Sequence, residues 1–492
     1  EAIRKLRGGL MPPPGADRPD EALVSDLVTW LENEIDSSFT EVQPGRVSLR
    51  RFNRREYANV IRDLLAMNID AQALLPLDDM EGGFDNNASV LQVSPSFVDQ
   101  YIYAARTVAH QAVGNKDARA VTTTYGDVAN MEISLSPRGG EGTGKQQHHI
   151  EGMPFGTRGG FIIEHDFPVD GDYTLTIGDL ALAREVPRME FENTVIALLD
   201  DKEIFRTVIG GEKDHKAIDQ IQDPAVAEIN GRLRSIPFKA TAGQHKVAVT
   251  FLHRGFSESD ERRRSIVIEG GQARIHGLHS LQIRGPLSVS GMSESASRQK
   301  VFVCQPLETM DEAPCAKEII SNLARNAFRR PVTNEDINGL MTFYESGYAD
   351  GGFETGVRDA LSAILANPYF LYRAESGDDA IATVTLADLE LASRLSFFLW
   401  SSIPDEELLE LAIDSRLGEP EILAQQVSRM LADPRSKSLI EGFAYQWLNL
   451  GKLDEITPDR SQFPQANGTL DPRNMFKQEL SMFIDSVLRS DS

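Results

Sequence analysis

The stretch Asp170-Gly171-Asp172-Tyr173-Thr174-Leu175-Thr176-Ile177 alternates polar and apolar residues directly after a turn. Successive side chains of a β-strand point to opposite faces, so Tyr173, Leu175 and Ile177 would share one buried face. The same period of two recurs at 247–251, behind a turn at 242–244. Short runs of this kind, separated by turns, predict antiparallel strands rather than helices.

The alternating pattern covers residues 125–290, and its last clear strand is predicted to run from Leu281 to Arg284 and to end at Gly285-Pro286. Apolar residues at helical spacing replace it on both sides. The predicted helical stretches are 1–40, 47–118, 300–375 and 385–492. We therefore predict a multidomain α + β protein in which helical domains flank an antiparallel, jelly-roll-like β-sandwich. The last stretch ends without a capping residue, so we expect that domain to be cut.

The bulk composition excludes several classes of protein. At 492 residues the chain exceeds the size at which one core keeps growing, so several domains are expected. A net charge of −24 disfavours a nucleic-acid partner, because phosphates would meet mostly like charge. No segment has the roughly 18 uninterrupted apolar residues that a transmembrane helix needs. The sequence starts at Glu1 without an initiator methionine or a signal peptide. We expect it to be trimmed, so its start does not indicate a cytoplasmic protein.

Cys304 and Cys315 are the two cysteines of the sequence. No histidine stands in a zinc-ligand relation to them. We favour a disulfide that closes a small loop, which implies an oxidising compartment and hence a periplasmic or extracellular protein. Two unpaired buried cysteines are the alternative.

A basic cluster and two tryptophans are interpreted as structural features rather than as parts of a binding site. A basic cluster consists of Arg50, Arg51, Arg54 and Arg55. We interpret it as the solvated start of a helix. Trp400 and Trp447 fall on apolar helix faces, so we predict core packing for both rather than stacking against a ligand.

The histidines do not form a recognisable metal site. His148 and His149 are adjacent and close to Glu151, but neighbours on a strand point to opposite faces. We interpret them as part of a surface loop. His276 and His279 are three residues apart in a predicted strand, which also separates them. The short motifs of metalloproteases, serine hydrolases and phosphate-binding loops do not occur.

An ordered series of motifs runs through most of the chain. It includes Arg51-Phe52-Asn53-Arg54-Arg55-Glu56-Tyr57 and Asn367-Pro368-Tyr369-Phe370-Leu371-Tyr372-Arg373. The full series lies at 51–57, 61–65, 83–86, 323–325, 328–333, 367–373, 392–402, 404–405 and 430–435. Together these motifs resemble the planctomycete-type cytochrome-associated multidomain proteins, whose domains are of unknown function. They consist mainly of turn and helix-capping residues and do not indicate an active site.

Members of that family usually begin with a c-type cytochrome domain, and residues 1–40 resemble the C-terminal remnant of one. The resemblance implies that Met11, on a proline-rich loop, is the thioether axial ligand of haem c in the intact protein. No Cys-x-x-Cys-His motif occurs, so this chain as given cannot attach haem covalently. Either the attachment motif precedes Glu1 or the loop is a relic.

The predicted sandwich resembles carbohydrate-binding, jelly-roll modules at 167–175 and 242–247. This resemblance implies a polysaccharide or a cell-surface glycan as partner. Such modules often hold a structural calcium ion, for which Glu151, Asp170 and Asp172 are candidates by residue type. A purely structural role of these motifs is the alternative.

Two functions follow as expectations. The first is an extracytoplasmic, cytochrome-associated protein that couples electron transfer, through a redox partner protein, to polysaccharide or surface binding. The alternative is a non-redox carbohydrate-binding or assembly protein. Enzymatic activity on polysaccharide is left open, and the sequence identifies no catalytic residue for it.

Overall fold

The computed structural model describes residues 2–13, 15–38, 49–88, 91, 95–126, 150, 152–178, 180, 189, 192–252, 265–266, 272–273, 278, 280–306, 308, 311–373, 385–454, 456 and 472–490. The chain divides into two compact units, one formed by 1–48 with 375–386 and the other by 49–374 with 387–492. Within the described residues, no helix has both the length and the apolar character needed to cross a membrane.

The smaller unit contains the predicted helix, loop and helix at the start of the chain. Its helices are α1 (Ala2–Arg7) and α2 (Glu21–Ser38). Arg7 Nη2 donates to Glu32 Oε2 at 2.8 Å and so joins the two helices. Arg18 donates to the carbonyls of Gly9 and Pro12, which braces the proline-rich loop.

The larger unit contains the remaining elements. Its helices are α3 (Arg54–Leu65), α4 (Ala71–Leu74), α5 (Pro95–Val113), α6 (Glu212–Ile221), α7 (Asp223–Gly231), α8 (Ala296–Val301), α9 (Glu312–Phe328), α10 (Asn334–Gly351), α11 (Phe353–Ala366), α12 (Pro368–Leu371), α13 (Asp388–Trp400), α14 (Glu406–Ile413), α15 (Pro420–Ala432), α16 (Lys437–Leu439), α17 (Tyr445–Trp447) and α18 (Pro472–Ser490). Its strands are β1 (Arg50–Arg51), β2 (Val121–Gly126), β3 (Thr157–Phe167), β4 (Asp170–Ile177), β5 (Asn193–Leu199), β6 (Lys202–Ile209), β7 (Ile236–Ala240), β8 (Gly243–Leu252), β9 (Ser265–Ile266), β10 (Gln272–Ala273), β11 (Ser280–Gly291) and β12 (Tyr372–Arg373).

Side-chain caps fix where the helices begin. Asn53 accepts from the backbone N–H of Glu56 at 2.8 Å, and the Glu56 carboxylate accepts from the N–H of Asn53, which starts α3. Thr333 and Asp336 form the same capping box at α10. Asn367 caps α12 immediately after α11 ends.

The helices before and after the sandwich share one hydrophobic core. Buried side chains between Phe52 and Val113 pack with buried side chains between Val301 and Leu371. A short sheet also joins these stretches, since β1 pairs with β12 in antiparallel fashion. Thus residues some 250 positions apart in sequence complete one helical body, and the sandwich is an insertion within it.

Two four-stranded antiparallel sheets form the sandwich. Their strand orders are β2-β11-β4-β7 and β3-β8-β5-β6. Tyr173 and Leu175 of one sheet lie in the same core as Val247 and Val249 of the other. Burial alternates along the whole of β4, as its sequence predicts. The predicted α + β class with an antiparallel sandwich is confirmed.

Two details of the sandwich differ from the sequence prediction. Strand β11 continues to Gly291, past the end predicted at Arg284. Its pairing with β4 shifts register between Arg284 and Ser288, so Gly285-Pro286 lies in an irregularity that the strand passes through. The helices α6 and α7 also lie inside this stretch, and the alternating pattern does not predict them.

A separate small core lies around Trp400 in the C-terminal helices. Trp400 is fully buried and its indole N–H donates to the carbonyl of Met430 at 3.0 Å, so the predicted core role is confirmed. The Arg435 guanidinium lies 3.5 Å from the ring centroid. Trp447 is 65% exposed instead, and the prediction that it packs in a core is wrong.

Cys304 and Cys315 form a disulfide with a Cα separation of 5.9 Å. Cys315 belongs to α9 and is buried in the helical core. The bond therefore fixes the segment between α8 and α9 against that core. The favoured sequence interpretation of the two cysteines is confirmed.

Candidate ligand-binding pocket

A pocket of about 520 Å³ lies among the helical elements of the larger unit. Side chains from β1, α3, β12 and α13 line it, together with the turn at 84–86 and the segment 438–443. Its charged lining residues are Arg50, Arg55, Arg373, Arg394 and Glu56. Four positive charges thus meet one negative charge among the described lining residues, and we call this the arginine pocket.

Arg50 reaches the pocket from β1. Its Nη1 donates to the carbonyl of Asn86 at 3.3 Å. In the β1–β12 pair, Arg50 lies directly opposite Arg373. Like charges opposite each other in an antiparallel pair are destabilising, so the backbone holds together two guanidinium groups that repel.

Arg55 lies in the first turn of α3. Its Nη2 is 3.4 Å from Asp85 Oδ1, which also accepts from Asn53 Nδ2 at the shorter distance of 2.9 Å. Its Nε is buried and makes no hydrogen bond in the described structure. A guanidinium has five N–H donors, so Arg55 retains donor capacity that its neighbours do not use.

The charge of Arg373 is compensated by a buried ion pair. Its Nη2 donates to Glu56 Oε1 at 2.7 Å, and both side chains are less than 8% exposed. Its guanidinium also lies 4.1 Å from the ring centroid of Phe397. Arg373 and Glu56 form a fixed wall of the pocket, whereas Arg394 is exposed on α13.

Three aromatic rings stack beside the arginines. The ring centroids of Phe84 and Phe443 are 5.9 Å apart with an interplanar angle of 22°. Those of Phe443 and Trp447 are 5.8 Å apart with an angle of 18°. We call Phe84, Phe443 and Trp447 the aromatic stack. Its outer member, Trp447, leaves a large flat surface open to solvent, and Phe398 on the pocket lining is 62% exposed.

A π-helix at Ile440–Ala444 carries the middle ring of the stack. Single π turns inside α-helices are rare and occur frequently at functional sites. Here the turn places Gly442 against Arg55: a Cβ atom on this glycine would lie 3.1 Å from Arg55 Cζ. The absence of a side chain at Gly442 thus gives the guanidinium its position.

The turn that carries Phe84 is attached to the same helical segment. Gly82 and Gly83 have φ values of 62° and 92°, which L side chains rarely adopt, so the turn depends on glycine. The N–H of Asp85 donates to Gln446 Oε1 at 3.1 Å. This bond holds the turn against the residue that precedes Trp447.

The pocket combines two kinds of recognition. Guanidinium groups bind carboxylate, sulfate and phosphate oxygens through paired N–H donors. Exposed aromatic faces bind the apolar face of a ring, and exposed apolar surface beside polar groups marks interaction sites.

The predicted calcium ligand Asp170 is engaged in hydrogen bonds within the sandwich. It accepts from the N–H of Ala242 at 2.6 Å and from both the N–H and the hydroxyl of Ser293. Burial is the largest single influence and raises the pKa of Asp170, but these hydrogen bonds and the nearby Arg298 together hold that pKa below its ordinary value. Its carboxylate therefore has a structural role in joining β4 to the chain after β11.

The other predicted calcium ligands do not join Asp170 in a described cluster. Asp172 is half exposed and contacts Ser288, with Lys239 Nζ 3.9 Å away. Glu151 lies outside the described residues. No group of three or more histidine, cysteine or acidic side chains could hold a metal ion within the described part of the chain. Calcium binding stays a prediction.

Two histidines of the sandwich, His165 and His245, each contact a different neighbouring side chain. His165 Nδ1 is 2.6 Å from the hydroxyl of Tyr125, and burial lowers the pKa of His165 to about 4. His245, opposite His165 on β8, contacts Asp200 Oδ2 at 2.5 Å. The remaining sequence candidates, His148, His149, His276 and His279, lie outside the described residues.

Met11 lies on the proline-rich loop of the smaller unit and is 44% exposed. An accessible thioether can serve as an axial haem ligand. However, the sequence contains no histidine before His110 and no cysteine before Cys304. Residues 1–40 thus supply one ligand and no attachment site, so by themselves they do not fit a haem, and the assignment of Met11 stays a prediction.

The larger unit is a helical body with an inserted sandwich and a pocket lined by arginines and aromatic rings. Three stretches match family models that describe proteins of unknown function: 50–114 matches PSD3 (DUF1587), 315–375 matches PSD5 (DUF1595) and 386–492 matches PSD4 (DUF1592). The chain therefore carries three domains of unknown function, and none of these models describes a cytochrome or a carbohydrate-binding module. No curated protein and no solved structure matches the chain.

All three matched stretches contribute to the arginine pocket. Arg50, Arg55 and Phe84 come from the first, Arg373 from the second, and Phe443 from the third. The pocket thus exists only where the three domains meet. A single domain does not contain it.

The structure corrects the interpretation of the basic cluster as a solvated helix start. Arg51 is 2% exposed and donates to Asp78 at 2.7 Å. Arg54 Nε donates to the carbonyl of Pro76 at 2.6 Å, while Arg50 and Arg55 face the pocket. Arg50 and Arg51 form a strand before the capping residue Asn53, and strand neighbours point to opposite faces. This pattern could have indicated that one of the two arginines is buried.

Proposed function

We propose that this chain is part of an extracytoplasmic, cytochrome-associated protein that binds polysaccharide or a surface glycan. The observation that carries the proposal is the aromatic stack, whose outer ring, Trp447, is 65% exposed. Pyranose rings present flat faces of C–H groups that pack on such a ring. The stack holds Trp447 in place before ligand arrives, which reduces the entropy lost on binding.

The location outside the cytoplasm rests on the disulfide. Cys304 and Cys315 are joined, and such bonds persist mainly in oxidising compartments. Extracellular and cell-wall polysaccharides are found in the same compartments. The proposed ligand is therefore one that the protein would meet there.

The test is binding of the full chain to an array of soluble polysaccharides. We expect retention on at least one of them and an affinity loss of about tenfold or more for Trp447→Ala. Trp30→Ala is the matched control, because Trp30 is 58% exposed but belongs to the smaller unit. Failure to bind any polysaccharide, or equal binding by Trp447→Ala and wild type, would overturn the proposal.

Electron transfer is the second function, and the exposed thioether of Met11 favours it. In this proposal Met11 would be the axial ligand of haem c in the intact protein, and a redox partner protein would exchange electrons with it. Absorption spectroscopy and redox titration of the protein from its native source provide the test. A Soret band that changes when Met11 is replaced by alanine is expected, and its absence excludes this role.

A further inference from the structure

We propose that the ligand of the arginine pocket is an anionic saccharide, whose carboxylate or sulfate group is bound by Arg50 and Arg55 while a sugar ring packs on the aromatic stack. This inference rests on the proposed function and names its substrate class. Three observations carry it: the lack of an ion pair at Arg50 within the described residues, the opposed arginines of the β1–β12 pair, and the closeness of the two subsites.

Within the described residues, Arg50 forms no ion pair although it lines the pocket. Glu56 is committed to Arg373 by a buried ion pair. Arg50 makes its hydrogen bond to a neutral carbonyl, that of Asn86. Arg55 forms an ion pair with Asp85 at 3.4 Å, and its side chain is 27% exposed. Its guanidinium has more N–H donors than this contact uses.

The strand register explains why an anion would bind here. Arg50 and Arg373 are directly opposite each other across β1 and β12. The carboxylate of Glu56 accepts from Arg373 and so compensates the charge of that member of the pair. An anion from the ligand would supply the counter-charge on the Arg50 side and remove the repulsion.

The anion subsite and the aromatic stack are adjacent. Asn86, which accepts from Arg50, is two residues from Phe84 of the stack. Gly442, whose backbone packs against Arg55, precedes Phe443 of the stack. One ligand of a few sugar units would therefore contact both. A neutral sugar would use the stack and leave the arginines without a counter-charge.

The local charge matters because the chain as a whole has a net charge of −24. A polyanion is repelled by that charge at long range. Its binding must then come from short contacts with a few cations, and we expect Arg50 to be the most sensitive of these. Replacing Arg50 by glutamine removes one member of the repelling pair, so the unliganded protein should not lose stability.

The experiment is calorimetry of the full chain with matched pairs of oligosaccharides. One pair is a galacturonate oligomer and the same oligomer with its carboxyl groups reduced to alcohols. The other is a sulfated dextran oligomer and its unsulfated parent. We expect the anionic member of at least one pair to bind about tenfold or more tightly than its neutral match.

Three variants test whether the arginine pocket causes the preference for the anionic oligosaccharide. Arg50→Gln should lose most of the preference for the anionic member and bind the neutral member as wild type does. Trp447→Ala should weaken binding of both members. Arg284→Gln is the charge-matched control, because Arg284 is exposed on the sandwich, and it should change neither affinity.

The outcomes separate this inference from the proposed function. Equal binding of anionic and neutral members in both pairs, or an unchanged preference in Arg50→Gln, overturns the anionic ligand and leaves glycan binding intact. Absence of binding to every oligomer and to the polysaccharide array overturns both. A thermal melt of Arg50→Gln at or above the wild-type midpoint shows that a loss of preference does not come from misfolding.

Discussion

Asp166 lies at the end of β3, next to His165, and is partly buried. Burial raises the pKa of its carboxyl to about 7, although the neighbouring His245 acts in the opposite direction. The folded protein therefore binds this proton more tightly than the unfolded chain does. By linkage, the stability that Asp166 contributes is present below its ordinary pKa and is lost as the pH rises to about 7.

Asp166→Asn should remove the loss of stability that wild type shows as the pH rises. We expect the variant to match wild type near pH 4 and to be more stable by about 1–3 kcal/mol at pH 8, because its amide stays neutral. Urea denaturation at a series of pH values measures the difference. Asp172→Asn, on the exposed face of the next strand, is the control and should stay within about 0.5 kcal/mol of wild type at both pH values. A difference independent of pH would contradict the assignment.

The sequence pattern predicted the burial of individual side chains less reliably than it predicted helices and strands. Trp400 and Trp447 have similar apolar neighbours along the chain, yet one is fully buried and the other is 65% exposed. Helical periodicity identifies an apolar face but not what covers it. Covering depends on contacts distant in sequence, and here Met430 covers Trp400, while Phe443 covers one side of Trp447 only.

The π-helix at Ile440–Ala444 is the element that aligns the two parts of the pocket. Gly442 lies against Arg55, and Phe443 lies in the aromatic stack. Any atom added at Gly442 must displace the guanidinium by a few tenths of an ångström. The element therefore connects the position of an anion ligand with that of a sugar ring.

Gly442→Ala should weaken binding of an anionic oligosaccharide by about 3–10-fold, because the new methyl group shifts Arg55. Its stability should change little, since alanine is otherwise favoured over glycine in a helix. Gly339→Ala in α10 is the matched control, as a Cβ there meets no atom within 4 Å. That variant should be up to about 1 kcal/mol more stable and bind normally. Equal affinities for the two variants would contradict the role of Gly442.

Local patterns predicted most elements correctly. The period of two identified β4 and β8. The extension of β11 beyond Gly285-Pro286 was missed because proline is normally excluded from a central strand. The register shift that accommodates it exists only in the paired sheet.

The ion pair of Glu56 and Arg373 joins two of the three matched domains. These residues are 317 positions apart, and both side chains are nearly inaccessible. Their contact adds to the shared core between the stretches before and after the sandwich. Such long-range pairing could not be predicted from the sequence, which predicts segments but not which segments pack together.

Glu56→Gln should destabilise the whole molecule by about 3 kcal/mol, because breaking a buried pair leaves a charge without its counter-charge. Denaturant unfolding followed by near-ultraviolet circular dichroism measures this change. Glu335→Gln, at an exposed position in the first turn of α10, is the control and should stay within about 0.5 kcal/mol of wild type. Unchanged stability of Glu56→Gln would show that the pair does not hold the two domains together.

At the scale of the whole molecule, three domains of unknown function together line the arginine pocket, which we propose as their shared binding site. The most direct measurement is a crystal structure of the full chain with an acidic oligosaccharide, such as a galacturonate trimer. We expect a carboxylate within hydrogen-bonding distance of Arg50 or Arg55 and a sugar ring packed on Trp447. An oligosaccharide bound to the sandwich alone, with the arginine pocket empty, would contradict it.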